Sequence, residues 1–218
     1  MTESLTESRI SQRRQAALSE GGAGYSAKRA ELIRVSAIVF REKGYAAATL
    51  NDVAALFGTD RASLYYYVAS KEELFQECIQ SVLDATLAKA EQISRLSVSP
   101  REKLSKLVEL MITSQVEHYP YMYVYIQEDM RQVVSQDARW TSRMVEQTHQ
   151  MERFVIDALV EGVDDGSFRE GMSPTLVANG LFGMLLWTHR WFVPGRKYEP
   201  SDLIDTFVTI FFDGIEKN

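Results

Sequence analysis

The chain reads as an all-α protein: an N-terminal three-helix helix-turn-helix followed by a larger C-terminal helical body. Three observations lead there. Apolar residues recur at helical spacing from Ala27 almost to the last residue. No stretch alternates apolar and polar residues in the way a half-buried strand requires. Residues 44–73 carry a close succession of helix stops and starts, glycine at the stops and Thr, Asp or Ser at the starts.

In chain order, residues 1–24 are polar, end in Gly21-Gly22-Ala23-Gly24 and read as a mobile arm. Its Arg9, Arg13 and Arg14 either enter a minor groove, as basic arms do, or stay solvated. From Ala27 onward, Leu32, Ile33, Ser36, Val39 and Phe40 share one face of a helix that stops at Gly44. Thr49-Leu50-Asn51-Asp52 is a capping box with Asp in the acidic position. It opens a short helix expected to bury Val53, Ala54 and Leu56, and Gly58 ends it. Asp60 can cap a third helix, Arg61 to about Tyr67, with Leu64 and Val68 inward. Ser70-Lys71-Glu72-Glu73 is a second capping box, heading a long helix towards Ser97. Residues 25–71 are therefore the helix-turn-helix domain. Within the second domain, residues 72–218, further helices are expected at about 101–118, 121–134, 138–163, 174–191 and 201–216.

Composition sets the limits. With 218 residues and 45% hydrophobic side chains, there is ample material for a core. The longest nearly unbroken apolar run, Leu176 to Trp187, is well short of the roughly 18–20 residues that cross a bilayer. The first thirty residues lack an apolar signal segment, and the lone Cys78 excludes an internal disulfide or a multi-thiolate metal site. A cytoplasmic protein is expected, with no membrane partner. The net charge of −6 is unevenly spread. Residues 1–71 hold ten Lys/Arg against seven Asp/Glu, and the remainder 14 against 23. A mildly basic front on an acidic body points to two parts with different partners.

The segment Arg61-Ala62-Ser63-Leu64-Tyr65-Tyr66-Tyr67 carries the most chemistry. Three consecutive tyrosines point around most of a helix, so some must face outward, where their hydroxyls can bond phosphate oxygens. Arg61 can approach guanine edges, while Ala62 and Ser63 permit close approach; the alternative is a packed helix with exposed aromatics. Lys71 sits in a first helical turn, where the macrodipole disfavours a cation by up to about 1 kcal/mol. A phosphate at that terminus supplies a reason for it, and otherwise the lysine is merely solvated. Thr49 can likewise both cap its helix and contact a phosphate.

Arg29-x-x-Leu32-Ile33, Phe40-Arg41-Glu42-Lys43-Gly44-Tyr45, Thr49-Leu50-Asn51-Asp52-Val53-Ala54 and Gly58-(x)5-Leu64-Tyr65-Tyr66-Tyr67-Val68-Ala69-Ser70-Lys71-Glu72-Glu73-Leu74 resemble the TetR family of transcriptional regulators. The resemblance covers about residues 29–74. It departs from the family pattern at Phe57, Thr59, Tyr67 and Val68. It implies an N-terminal DNA-binding domain, a helical effector-binding and dimerisation domain, and repression of a double-stranded DNA operator relieved by a small molecule. Carried over, Arg61 to Tyr66 lie on the recognition helix, and Thr49, Tyr66 and Lys71 fall at backbone-contact positions.

In the body, Tyr123, Ile126, Met130, Met144, Met151, Phe154 and Phe182 supply aromatic and flexible apolar side chains that either line an adaptable pocket or are plain core. Trp187-Thr188-His189-Arg190-Trp191 is similar to the end of the penultimate helix in TetR-type repressors of steroid and fatty-acid breakdown. The expected effector is apolar or aromatic, a CoA thioester being one candidate. Arg190 would bind its anionic group beside Trp187, unless it pairs instead with Glu128 or Asp129. Two recognition helices must enter successive major grooves about 34 Å apart, so a homodimer is expected. Val177, Leu181, Leu185, Leu203, Phe207, Ile210 and Phe211 are the candidate interface, or equally core.

An enzyme is not expected. Glu146-Gln147-Thr148-His149 has the spacing of a di-iron bundle but lacks the second copy such a site needs. No catalytic residues, metal ligands or cofactor are assigned. The alternative is an architectural or constitutive DNA-binding protein without an effector.

Overall fold

A computed structural model of the chain describes residues 23–119, 122 and 138–216. Eight α-helices are described: α1 Ala23–Lys43, α2 Leu50–Phe57, α3 Arg61–Leu64, α4 Lys71–Ser94, α5 Pro100–Glu117, α6 Ala138–Asp164, α7 Pro174–Trp187 and α8 Pro200–Ile215. Thr188–Arg190 forms a 3₁₀ turn. Among the described residues there is no strand, only an isolated bridge between Phe168 and Glu216. All of the helix expected at 121–134 except Met122, and nearly all of the expected arm, lie outside the described residues. The chain divides into two compact units at Ser81–Val82, inside α4.

The first unit is built on α1. Leu32, Val35, Ser36, Val39 and Phe40 are buried, and the Ser36 hydroxyl is satisfied by the Leu32 carbonyl at 2.7 Å. Ile33, expected on that face, is only half-buried, and Val35 takes the place inside. The described part of the helix begins at Ala23, before its apolar pattern, and Tyr25 in that first turn stacks on Tyr67. In α2 the buried residues are Leu50, Val53 and Ala54; Leu56, expected inside, is exposed. Eight residues wind only two turns, so only one narrow stripe of α2 can reach α1. The first turns of α4 complete this core with Leu74, Phe75, Cys78 and Ile79. Phe75 meets Phe40 edge-on with ring centres 5.4 Å apart. Cys78 donates to the Ile33 carbonyl at 3.4 Å, and burial pushes its thiol pKa upward.

The second unit packs α5 against α6 and α8, and α6 against α7. Leu104, Leu107 and Val108 from α5, Val155 and Leu159 from α6, Leu181 and Leu185 from α7, and Phe211 and Phe212 from α8 share one core. Fully burying a residue of this size stabilises by about 1.5–3 kcal/mol, so this cluster dominates the unit's cohesion. Gly162 is where the backbone must stay bare. A Cβ there would fall 2.1 Å from Cδ2 of the buried Phe168 ring, which lies across α6 and closes the core. The Lys103 ammonium, nearly covered by its surroundings, meets Glu161 at 2.6 Å between α5 and α6. Helix α7 ends sooner than expected, its last turn tightening into the 3₁₀ turn before Trp191.

Candidate nucleic-acid interface

The turn that presents α3 is built from local hydrogen bonds. Thr49 Oγ1 accepts from the Asp52 amide at 3.2 Å, and Asp52 Oδ2 accepts from the Thr49 amide at 2.9 Å. Lys43 reaches the other Asp52 oxygen at 2.6 Å. That ammonium first, and Thr49 second, hold the Asp52 carboxyl at a pKa of about 2. At the far end, Gly58 adopts the left-handed conformation (φ 78°) that reverses the chain, and its amide closes on the Ala54 carbonyl. Asp60 then caps α3, bonding the Ser63 amide and the Ser63 hydroxyl, both at 2.9 Å. The hydroxyl of Ser63 is thus engaged in the cap.

Helix α3 is shorter than expected: regular geometry ends at Leu64, and Tyr65–Tyr67 continue as a tightened turn. The three tyrosines separate into distinct roles. Tyr65 accepts from Arg61 Nε at 3.2 Å and Nη2 at 3.0 Å. Tyr67 turns inward, stacked on Tyr25 with centroids 5.4 Å apart and edge-on to Phe57. Tyr66 leans on both Tyr25 and Tyr67 yet stays exposed. Tyr25 was not singled out by sequence reasoning. Its signal is an aromatic residue at the polar start of a helix, legible only once its partners 41 and 42 positions later are in place. Arg61, Ala62 and Ser63 are exposed on the outer side, as is Thr49.

A cleft of about 460 Å³ opens where α2 and α4 begin, lined by Ala48–Asn51, Arg61, Tyr65 and Ala69–Glu72. Lys71 lies in its wall. Its ammonium donates to the carbonyls of Tyr45 (2.9 Å) and Ala48 (3.2 Å) and stands 4.4 Å from the centre of the Tyr45 ring. Those carbonyls and the ring face offset the cost of a cation in a first helical turn, which the sequence alone leaves to a phosphate or to solvent. The second capping box is offset by one residue. Ser70 accepts from the Glu73 amide at 3.1 Å, but Glu73 reaches back to the Ala69 amide at 2.5 Å.

The residues expected at an effector site are described only in part. Tyr123, Ile126 and Met130, with Glu128 and Asp129, lie outside the described residues. Met144 is buried; Met151, Phe154 and Phe182 are half-buried against the core. Trp187 is 60% exposed, and the Arg190 guanidinium stands 5.4 Å from its ring centre, on the shared face that a three-residue spacing gives. An apolar dimple beside Phe168, lined in part by Val177, measures about 10 Å³ and has room for no more than a water. Of the residues expected at a dimer interface, Leu181, Leu185, Leu203 and Phe211 are buried within the chain itself. Val177 and Phe207 are half-buried, and Ile210 is 56% exposed. The outward apolar residues of α7 are Leu176, Leu186 and Trp187. Among the described residues no cluster of His, Cys, Asp or Glu could hold a metal ion, and no helix is long and apolar enough to cross a membrane.

A short outward helix, set behind a glycine turn and flanked by two capped helix starts, defines a helix-turn-helix DNA-binding protein. The chain belongs to the TetR family of bacterial regulatory proteins, a family of DNA-binding transcriptional regulators: residues 32–78 match the family's N-terminal region and residues 97–215 match the tetracyclin repressor-like C-terminal domain. It is similar to the HTH-type transcriptional repressor KstR2 of Mycobacterium tuberculosis, with 28% identity over 192 residues, covering 88% of this chain and 94% of that one. The solved structure of that ketosteroid transcriptional regulator superposes with a TM-score of 0.72 over 87% of this chain and 95% of its own. The TetR-family regulator PfmR of Thermus thermophilus is 26% identical with a TM-score of 0.72, covering 85% and 99%. AibR, solved in complex with isovaleryl coenzyme A and operator DNA, shares the fold at 17% identity and a TM-score of 0.66, covering 85% and 98%.

Proposed function

We propose that this chain is a homodimeric, cytoplasmic repressor that reads a pseudo-palindromic operator and releases it on binding a largely apolar effector. The observation that carries the reading is the outer side of α3. Arg61, Ala62 and Ser63 face away from the core, above a cleft where the amide ends of α2 and α4 converge. Base edges are read by Arg61, while Thr49, Tyr66 and Lys71 bind phosphates on either side.

Support for the dimer comes from α7 and α8. Leu176, Gly180, Gly183 and Trp187 recur along one exposed stripe of α7. A glycine inside a helix costs up to about 1 kcal/mol relative to alanine. Among the described residues nothing lies within 4 Å of a Cβ at Gly180 or Gly183, so no described contact calls for them. A partner helix approaching closely does. Ile210 and Gly214 continue an exposed face on α8. The interface is thus assigned to this outer face together with half-buried Val177 and Phe207.

The effector is assigned to the apolar polycyclic or acyl-CoA class. Support comes from the ketosteroid regulator matched over nearly its full length, and from the Trp187–Arg190 pair, which offers a cation backed by an aromatic face to an anionic group. Ligand need only favour, by a few kcal/mol, a dimer state whose recognition helices are wrongly spaced.

The test is operator selection from random duplex DNA, followed by titration of the complex with ketosteroids, acyl-CoA thioesters and aromatic acids. Selection of a two-fold symmetric site, released by one of these classes, is the expected result. A non-symmetric site from a monomer overturns the dimer; a site that no ligand releases leaves a constitutive DNA-binding protein. Unchanged effector affinity in both Arg190→Ala and Trp187→Ala removes the anionic group from this pair.

A further inference from the structure

Arg61 opens α3 and Tyr65 stands four residues on, so the two side chains share a helix face. Both Arg61 Nε (3.2 Å) and Nη2 (3.0 Å) donate to the one phenolic oxygen, which has two lone pairs to receive them. The adjacent carboxylate does not compete for the guanidinium, because Asp60 is engaged by the amide and hydroxyl of Ser63. Tyr65 is half-buried while Arg61 is exposed, so the tyrosine is the more anchored partner. Both line the same cleft.

We propose that Tyr65 is a positioning residue for base readout: its hydroxyl holds one edge of the Arg61 guanidinium so that the Nη1–Nη2 end of the fork is presented to a guanine. The side edge of the fork is taken up by the Tyr65 hydroxyl, and the end edge is the one still able to make two parallel bonds to guanine O6 and N7. An arginine stem free to rotate would reach phosphates as readily as bases. Holding it in one orientation before DNA arrives lowers the ordering cost of the specific contact and leaves non-specific contacts unimproved. Tyr65 therefore acts on sequence preference through Arg61. The inference rests on α3 being the recognition helix.

The test compares the full-length protein with Tyr65→Phe, Arg61→Ala and the double variant, each titrated across operator variants and a salt series. Tyr65→Phe removes only the hydroxyl. It is expected to keep the melting temperature and the salt slope, and to lower discrimination about two- to tenfold at the base pairs whose preference Arg61→Ala abolishes. In the double variant it should add nothing to Arg61→Ala. A uniform loss with a shallower salt slope would make Tyr65 a phosphate contact and overturn the proposal. Tighter binding would make the pair a brake, and additive losses would make the two residues independent; both outcomes also overturn it. If Arg61→Ala leaves the base profile unchanged while the operator is still bound, this proposal falls and the DNA-binding reading stands. If the wild-type protein selects no sequence, both fall.

Discussion

Residues 49–73 and helices α7–α8 place their functional side chains by different means. Around α3, every capping contact closes within four residues: Thr49 with Asp52, Asp60 with Ser63, Ser70 with Glu73. Helix α7 has no side-chain hydrogen bond at its cap, and although α8 opens on a Glu199–Asp202 box, the facing of both helices is decided by apolar packing against α5 and α6. The first kind of construction tolerates exposure, because each helix start carries its own partners. The second exists only when distant helices have assembled. The difference suits the proposed tasks: a rigid, solvent-facing reading head, and a body whose surface is completed by a second copy.

The largest expected effect separates core from surface on α7 and α8. Leu181→Ala should destabilise the protein by about 2–5 kcal/mol in chemical denaturation, since Leu181 is fully buried. Ile210→Asp, on the exposed side of α8, should keep its melting temperature as a monomer but shift sedimentation from dimer to monomer. Equal destabilisation by both would erase the distinction between core and outward face. Next comes Gly162→Ala, which drives a Cβ into the Phe168 ring and should cost about 1–3 kcal/mol; an unchanged denaturation midpoint would show that the ring is free to move.

Smaller effects belong to the reading head. Thr49→Ala removes one cap from α2 and should cost about 1 kcal/mol by denaturation, with faster amide exchange at Asp52 and Val53 as its local sign. Smallest is the acid response of the same box. The folded pKa of Asp52, about 2, lies below the ordinary value of 3.8, so its contribution is complete above about pH 4 and is lost as pH falls towards 2. Amide exchange at the start of α2 should rise across that window. In Lys43→Met the onset should move to higher pH, because the ammonium is the first cause of the depression.

What the sequence by itself determined is the local part. The helix starts at Leu50, Arg61 and Lys71 and the stops at Gly44 and Gly58 follow from side chains that meet their own backbone within three or four residues. Such contacts have the same partners in almost any fold, so they can be read from spacing alone. Tertiary structure decided which apolar residues face inward. Leu56 fits the period of α2 yet lies exposed, Leu181 and Leu185 turn into the chain's own core, and Ile210 turns out of it. It also decided that Lys71 leans on the carbonyls of Tyr45 and Ala48, and that Tyr67 folds in beneath Tyr25 while Tyr66 stays outside. A helical repeat specifies that two residues share a face; only partners tens of residues away specify whether that face meets protein or water.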